Sequence, residues 1–96
     1  MTKLADAEIA LHLKSLTEWK VESGELTRTF IFKDFLGSLA FVNKVGELAE
    51  KAGHHPDIDI RYNRVRVALV THDAGGITAK DFDLADAASK LVSGPR

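Results

Sequence analysis

The chain has 96 residues, 45% hydrophobic and 28% charged, with a formal net charge of −1, which suits one small domain built on one core. No basic excess exists to hold nucleic acid by counterion release, and no polybasic tract exists to seek an anionic membrane. Cysteine is absent, so disulfides, thiolate catalysis and cysteine metal sites are excluded.

Met1-Thr2-Lys3-Leu4 lacks the apolar stretch of a signal peptide, and no apolar run is long enough to cross a bilayer. Cytoplasm is the expected compartment. Ile9, Leu13 and Leu16 recur at helical spacing and predict a first helix over 5–16. Trp19 and Val21 alternate with Lys20 and Glu22, as in a strand. Ser23-Gly24 is a turn signal, and Leu26, Arg28, Phe30 and Phe32 alternate with Thr27, Thr29, Ile31 and Lys33 in a second, hairpin-paired strand. Asp34 suits the N-cap of a long helix whose apolar stripe is Phe41, Val45, Leu48 and Ala52. Gly53 suits the position that ends this helix, and Pro56 forbids its resumption.

Ile58, Ile60 and Tyr62 then alternate with charged residues in a third strand, and 65–72 alternates likewise in a fourth, with Asn63-Arg64 as the turn between them. Asp73-Ala74-Gly75-Gly76 reads as a loop. Thr78-x-x-Asp81 fits a capping box opening a last helix with Leu84, Ala88 and Leu91 on its apolar stripe, and Pro95 follows it. Hairpins joined by helices predict an α+β domain over 1–96: a four-stranded antiparallel sheet with three helices on one face, in the order α-β-β-α-β-β-α.

Three of the four histidines, His54, His55 and His72, fall where the long helix stops and where the fourth strand ends. Imidazole takes or gives a proton near neutral pH, and acid–base catalysis needs one group to donate and another to accept. An unbulged Asn63-Arg64 hairpin pairs Tyr62 with Val65, Ile60 with Val67 and Ile58 with Leu69. Continued outward, it sets His55 opposite His72, with Cβ atoms about 4.5–5.5 Å apart. Glu50, four residues before His54, can reach that imidazole or its neighbour and fix a tautomer.

The residues alone leave other readings open. His12 reads as a helix-surface histidine, and His54 as a cation at a helix C-terminus. Three imidazoles could also ligate zinc, although no H-x-x-x-H pair is present and adjacent strand residues point to opposite faces. Asp81 reads as the capping-box carboxylate, Asp57, Asp59 and Arg61 as a solvated face, and Tyr62 as core or interface.

The pattern Glu50, three residues, His54-His55-Pro56, five residues, Tyr62, nine residues, His72, eight residues, Asp81 closely resembles the pterin-4a-carbinolamine dehydratase family. Phe32-Lys33-Asp34-Phe35, Ala49-Glu50-Lys51, Tyr62-Asn63, Thr71-His72, Asp83-Leu84-Ala85 and Trp19 also look like family positions. The resemblance implies dehydration of 4a-hydroxytetrahydropterin to quinonoid dihydropterin, recycling the cofactor of aromatic amino-acid hydroxylases. It implies no metal and no organic cofactor. Carried over, the catalytic residues are His54, His55 and His72. Gly53, His54, His55, Val70, Thr71, His72 and Asp73 contact substrate, and Glu50, Pro56 and Asp81 support them. It further implies a homodimer or homotetramer, with a non-catalytic pterin-binding, assembly or regulatory dimerisation module as the alternative. The chain departs from the family pattern at Gly53, often aspartate, and at Ile58, often tryptophan.

Overall fold

The computed structural model describes residues 2–93, so Pro95 lies outside the described residues. Its elements are α1 (Asp6–Leu13), β1 (Lys20–Glu22), β2 (Glu25–Ile31), α2 (Phe35–Ala52), β3 (Asp57–Arg61), β4 (Arg64–Leu69), a single 3-10 turn (His72–Ala74) and α3 (Ala79–Ser93). The four strands form one antiparallel sheet in the order β1-β2-β4-β3. This is the expected α+β order.

The core lies between one sheet face and the helices. Leu26 and Phe30 of β2 stand beside Leu69 and Val65 of β4, and Phe41, Val45 and Ala49 of α2 cover them together with Phe82, Ala85 and Ala88 of α3. Leu26, Val65 and Leu69 are fully buried, each worth about 1.5–3 kcal/mol relative to exposure. The Phe30 and Phe41 rings meet at 4.4 Å between centroids, and Phe32 adds a second contact to Phe41 at 5.0 Å. Trp19 Nε1 donates to Ser89 Oγ at 2.8 Å and fastens the start of β1 to α3.

Local chemistry sets the ends of α2. Asp34 Oδ1 accepts from the Gly37 amide at 2.9 Å, the N-cap bond that orphan helix amides need. At the other end Gly53 is left-handed, with φ 63°, and its amide closes on the carbonyls of Ala49 and Glu50. The β1–β2 turn also follows the sequence: Ser23 and Gly24 both have positive φ, as a two-residue hairpin requires.

Four expectations are corrected. The first helix stops at Leu13 rather than Leu16, and successive single turns carry the chain on to Trp19. The β3–β4 pairing is displaced by two residues, with Ile60 opposite Val65 and Ile58 opposite Val67. The turn is therefore Tyr62-Asn63, not Asn63-Arg64. Asn63 is held there by its own amide group donating to the Phe32 carbonyl at 3.1 Å, while the Phe32 amide donates to the Asn63 carbonyl at 2.8 Å. Tyr62 accordingly sits outside the sheet, with φ 51° and 64% exposure, and not in the core. Finally, β4 ends at Leu69. Thr71 and Gly76 exchange backbone hydrogen bonds, which turns the chain back and lifts His72 out of the strand.

Candidate active site

The two-residue displacement preserves which face each side chain takes but changes every neighbour beyond the strand end. Extending the observed register places His54, not His55, level with Thr71. The expected His55–His72 pairing is therefore not formed.

His54 follows the left-handed Gly53, which turns the chain off α2 and sends the imidazole toward the start of α3. There its Nε2 meets Asp81 Oδ1 at 2.5 Å. Asp81 is fully buried, and its other oxygen accepts from the Thr78 amide and from Thr71 Oγ1, each at 2.9 Å. A carboxylate that already receives these donors acts as acceptor toward the ring as well, so Nε2 carries the proton and donates. Nδ1 then carries the ring's lone pair. Thr71 Oγ1 and Thr78 Oγ1 lie 2.8 Å apart, and the Lys80 amide donates to Thr78 Oγ1 at 3.3 Å. The capping box read in the sequence exists, and the same carboxylate serves both the helix end and His54.

His55 points the other way. Its Nε2 donates to Glu50 Oε2, so Glu50 reaches the neighbour of His54 rather than His54 itself. The His55 and Glu50 side chains are 63% and 77% exposed, whereas those of His54 and Asp81 are 11% and 0%. His72 is exposed on the 3-10 turn directly after Thr71, and its carbonyl accepts from the Gly75 amide at 3.0 Å. Thr71 thus links the two imidazoles: its hydroxyl braces the carboxylate that holds His54, and its chain neighbour is His72. Asp73 is exposed beside His72, Val70 is half-buried between β4 and Thr71, and Pro56 is half-buried between Gly53 and β3. His12, expected on a helix surface, is exposed there and stacks on Phe82 at 4.7 Å.

Among the described residues no three His, Asp or Glu side chains are grouped as a metal site requires. Nor is any described helix long and apolar enough to cross a membrane. A hollow of about 340 Å³ opens between α2 and α3 with His54 on its wall, while His55 and His72 lie outside its lining. Thr78 was not singled out beyond its capping role. The capping box was the available signal for Thr78; that Asp81 supports the histidines is implied by the family resemblance and not by spacing, and the structure adds that its partner is His54, 27 positions away.

A small α+β fold whose helix-capping aspartate holds a histidine from the preceding helix–strand junction defines a recognisable class. The family described as Pterin 4 alpha carbinolamine dehydratase matches residues 2–91. A provisionally named pterin-4-alpha-carbinolamine dehydratase of Acidobacterium capsulatum is 58% identical over 92 residues, covering 96% of this chain and all of the relative. A provisionally named counterpart in Chloroflexus aurantiacus is 55% identical over 92 residues, covering 96% and 99%. The crystal structure of a transcriptional coactivator/pterin dehydratase from Brucella melitensis is similar to this fold with a TM-score of 0.92 at 33% identity, over 96% of this chain and all of that one. A pterin dehydratase-like RuBisCO assembly factor of the alpha-carboxysome shares the fold at a TM-score of 0.64 and 20% identity, over 80% and 89%. The chain belongs to the pterin-4-alpha-carbinolamine dehydratase family.

Proposed function

We propose that the protein dehydrates 4a-hydroxytetrahydropterin to quinonoid dihydropterin in the cytoplasm, returning the cofactor of an aromatic amino-acid hydroxylase for reduction. The C4a–O bond breaks, the proton on N5 leaves, and the C4a=N5 bond forms as water departs. The observation that carries this reading is the His54–Asp81 pair: a nearly buried imidazole with one nitrogen fixed as donor and the other left as a base. His54 Nδ1 accepts the N5 proton, and the Asp81 carboxylate steadies the imidazolium that results. His72 in its protonated form supplies a proton to the leaving oxygen. Among the described residues no side chain engages its ring, which leaves both nitrogens available. His55, tied to Glu50, positions the pterin ring, with Gly53, Val70, Thr71 and Asp73 lining the approach.

The test is stopped-flow dehydration of a freshly formed carbinolamine. The expected outcome is a rate well above the spontaneous one, falling by about 10²–10⁴-fold in His54→Ala and in His72→Ala. A wild-type rate equal to the spontaneous one would leave only the binding or assembly role.

The same reading includes a homodimer or homotetramer. The edges β1 and β3 are unpaired within the described sheet. Exposed Ile31, Phe35, Leu36 and Tyr62 gather where β2 meets α2 and the β3–β4 turn, an apolar patch of the kind that marks association. Light scattering at micromolar concentration should report at least a dimer; a monomer contradicts it.

A further inference from the structure

The hollow between α2 and α3 takes its apolar lining from Leu48 and Ala52 of α2 and from Leu84 and Ala87 of α3. Two lysines, Lys51 and Lys80, stand at its rim with Asp83. Both lysines are exposed, and among the described residues neither makes an ion pair, although Lys20 pairs with Glu22 and Lys90 with Asp86. The rim carries two positive charges against one negative. Apolar walls under a surplus of ammonium groups suit a carbon-rich segment that ends in a negative charge.

His54 is shared between this hollow and the proton-transfer site, and His55 and His72 are not part of it. On the dehydratase reading the pterin ring also meets His55 and His72, which leaves the hollow to a substituent extending past His54. Resting on the dehydratase reading above, we propose that the α2–α3 hollow is a specificity subsite for an anionic, carboxylate-bearing tail on the pterin, with Lys51 and Lys80 as its charge partners.

The experiment compares two carbinolamines with the same ring, one carrying a neutral polyol tail and one a carboxylate-terminated tail. The wild type should show the lower KM for the anionic substrate. The Lys51→Ala/Lys80→Ala double variant should raise that KM about threefold to tenfold, the range of two exposed ion pairs, with kcat and the neutral-tail KM unchanged. Raising the salt to about 0.5 M should act on the wild type in the same direction, since screening then reaches contact distances. Asp83→Asn should lower the anionic KM. Equal KM values for the two tails in wild type, or a double variant that shifts both substrates alike, would overturn the subsite.

Calorimetric binding of the stable oxidised pterins with the same two tails reads the hollow without turnover. A tail preference that is present in wild type and lost in the double variant supports the subsite even where dehydration is absent, in which case the dehydratase reading fails alone. Equal affinities for the two oxidised pterins overturn the subsite alone.

Discussion

His54 and His55 are chain neighbours with opposite surroundings. The first is nearly buried and held by a buried aspartate that receives two further donors; the second is open to solvent and held by a glutamate that is itself open. Both pairs would be counted as histidine–carboxylate contacts, yet only one is braced. An exposed pair contributes about 0–1 kcal/mol and is screened by salt, while breaking a buried one strands a charge. Burial, not proximity, separates the imidazole with a braced partner from the one whose partner is itself open to solvent.

The largest expected difference is in turnover. His54→Ala should lose about 10²–10⁴-fold in kcat, the usual contribution of one acid–base group, and His55→Ala should act mainly on KM. A His55→Ala variant with the deeper loss in kcat would reverse the assignment of roles. Next comes stability. Asp81→Ala removes the acceptor of His54, Thr71 and the Thr78 amide together and should cost about 3–5 kcal/mol in urea denaturation. Glu50→Ala should stay within about 0.5 kcal/mol of wild type. Similar losses at the two carboxylates would show that the two pairs are equally supported after all.

The two hairpins explain how far this site could be read from residues alone. At β1–β2 the turn is written locally: Ser23-Gly24 permits positive φ and both flanking residues alternate cleanly. At β3–β4 the residue expected to carry the turn, Asn63, is held at the second turn position by its bonds with Phe32, just past the end of β2 and 31 positions away. A slide of two residues leaves every apolar side chain on its proper face, so the hydrophobic pattern could not detect it. The consequence reached the site. The three histidines and Glu50 stand out by residue type and spacing, whereas Thr71 joins them only through the family resemblance and Asp81 reads by itself as a helix cap. Which imidazole meets which carboxylate was not legible, since it depends on register and on how the Thr71–Gly76 pairing folds the chain back.

Gly53 is where the two histidines diverge, and it offers a smaller test. A Cβ there would meet nothing within 4 Å, so a substitution is opposed by backbone conformation rather than by space. Gly53→Ala should cost about 1–2 kcal/mol at φ 63°, and Gly53→Asp less, because a short polar side chain tolerates the left-handed region. Equal costs for the two variants would mean that the tolerance of a short polar side chain for the left-handed region does not act at this position.

The smallest effect lies on the opposite sheet face, where an exposed carboxylate has one buried partner. Glu22 Oε1 accepts from the buried Thr27 hydroxyl at 3.0 Å, with Arg66 Nη2 at 3.4 Å and Lys20 Nζ 3.5 Å from Oε2. The Thr27 hydrogen bond, then Arg66 and Lys20, hold the Glu22 carboxyl below the usual range for glutamate. A carboxyl depressed in the folded state stabilises the fold above its unfolded value, and that contribution is lost as pH falls through the folded one. Glu22→Gln should therefore lower the denaturation midpoint slightly at neutral pH, and the gap from wild type should close on acidification. In Glu22→Ala, which unlike the Gln variant also loses the acceptor for Thr27, added salt should remove the part owed to Arg66 and Lys20 and leave the part owed to Thr27, because screening weakens charge pairs more than a hydroxyl donor. A gap that closes fully in salt at neutral pH would place Glu22 with Glu50, as a carboxylate supported only by exposed partners.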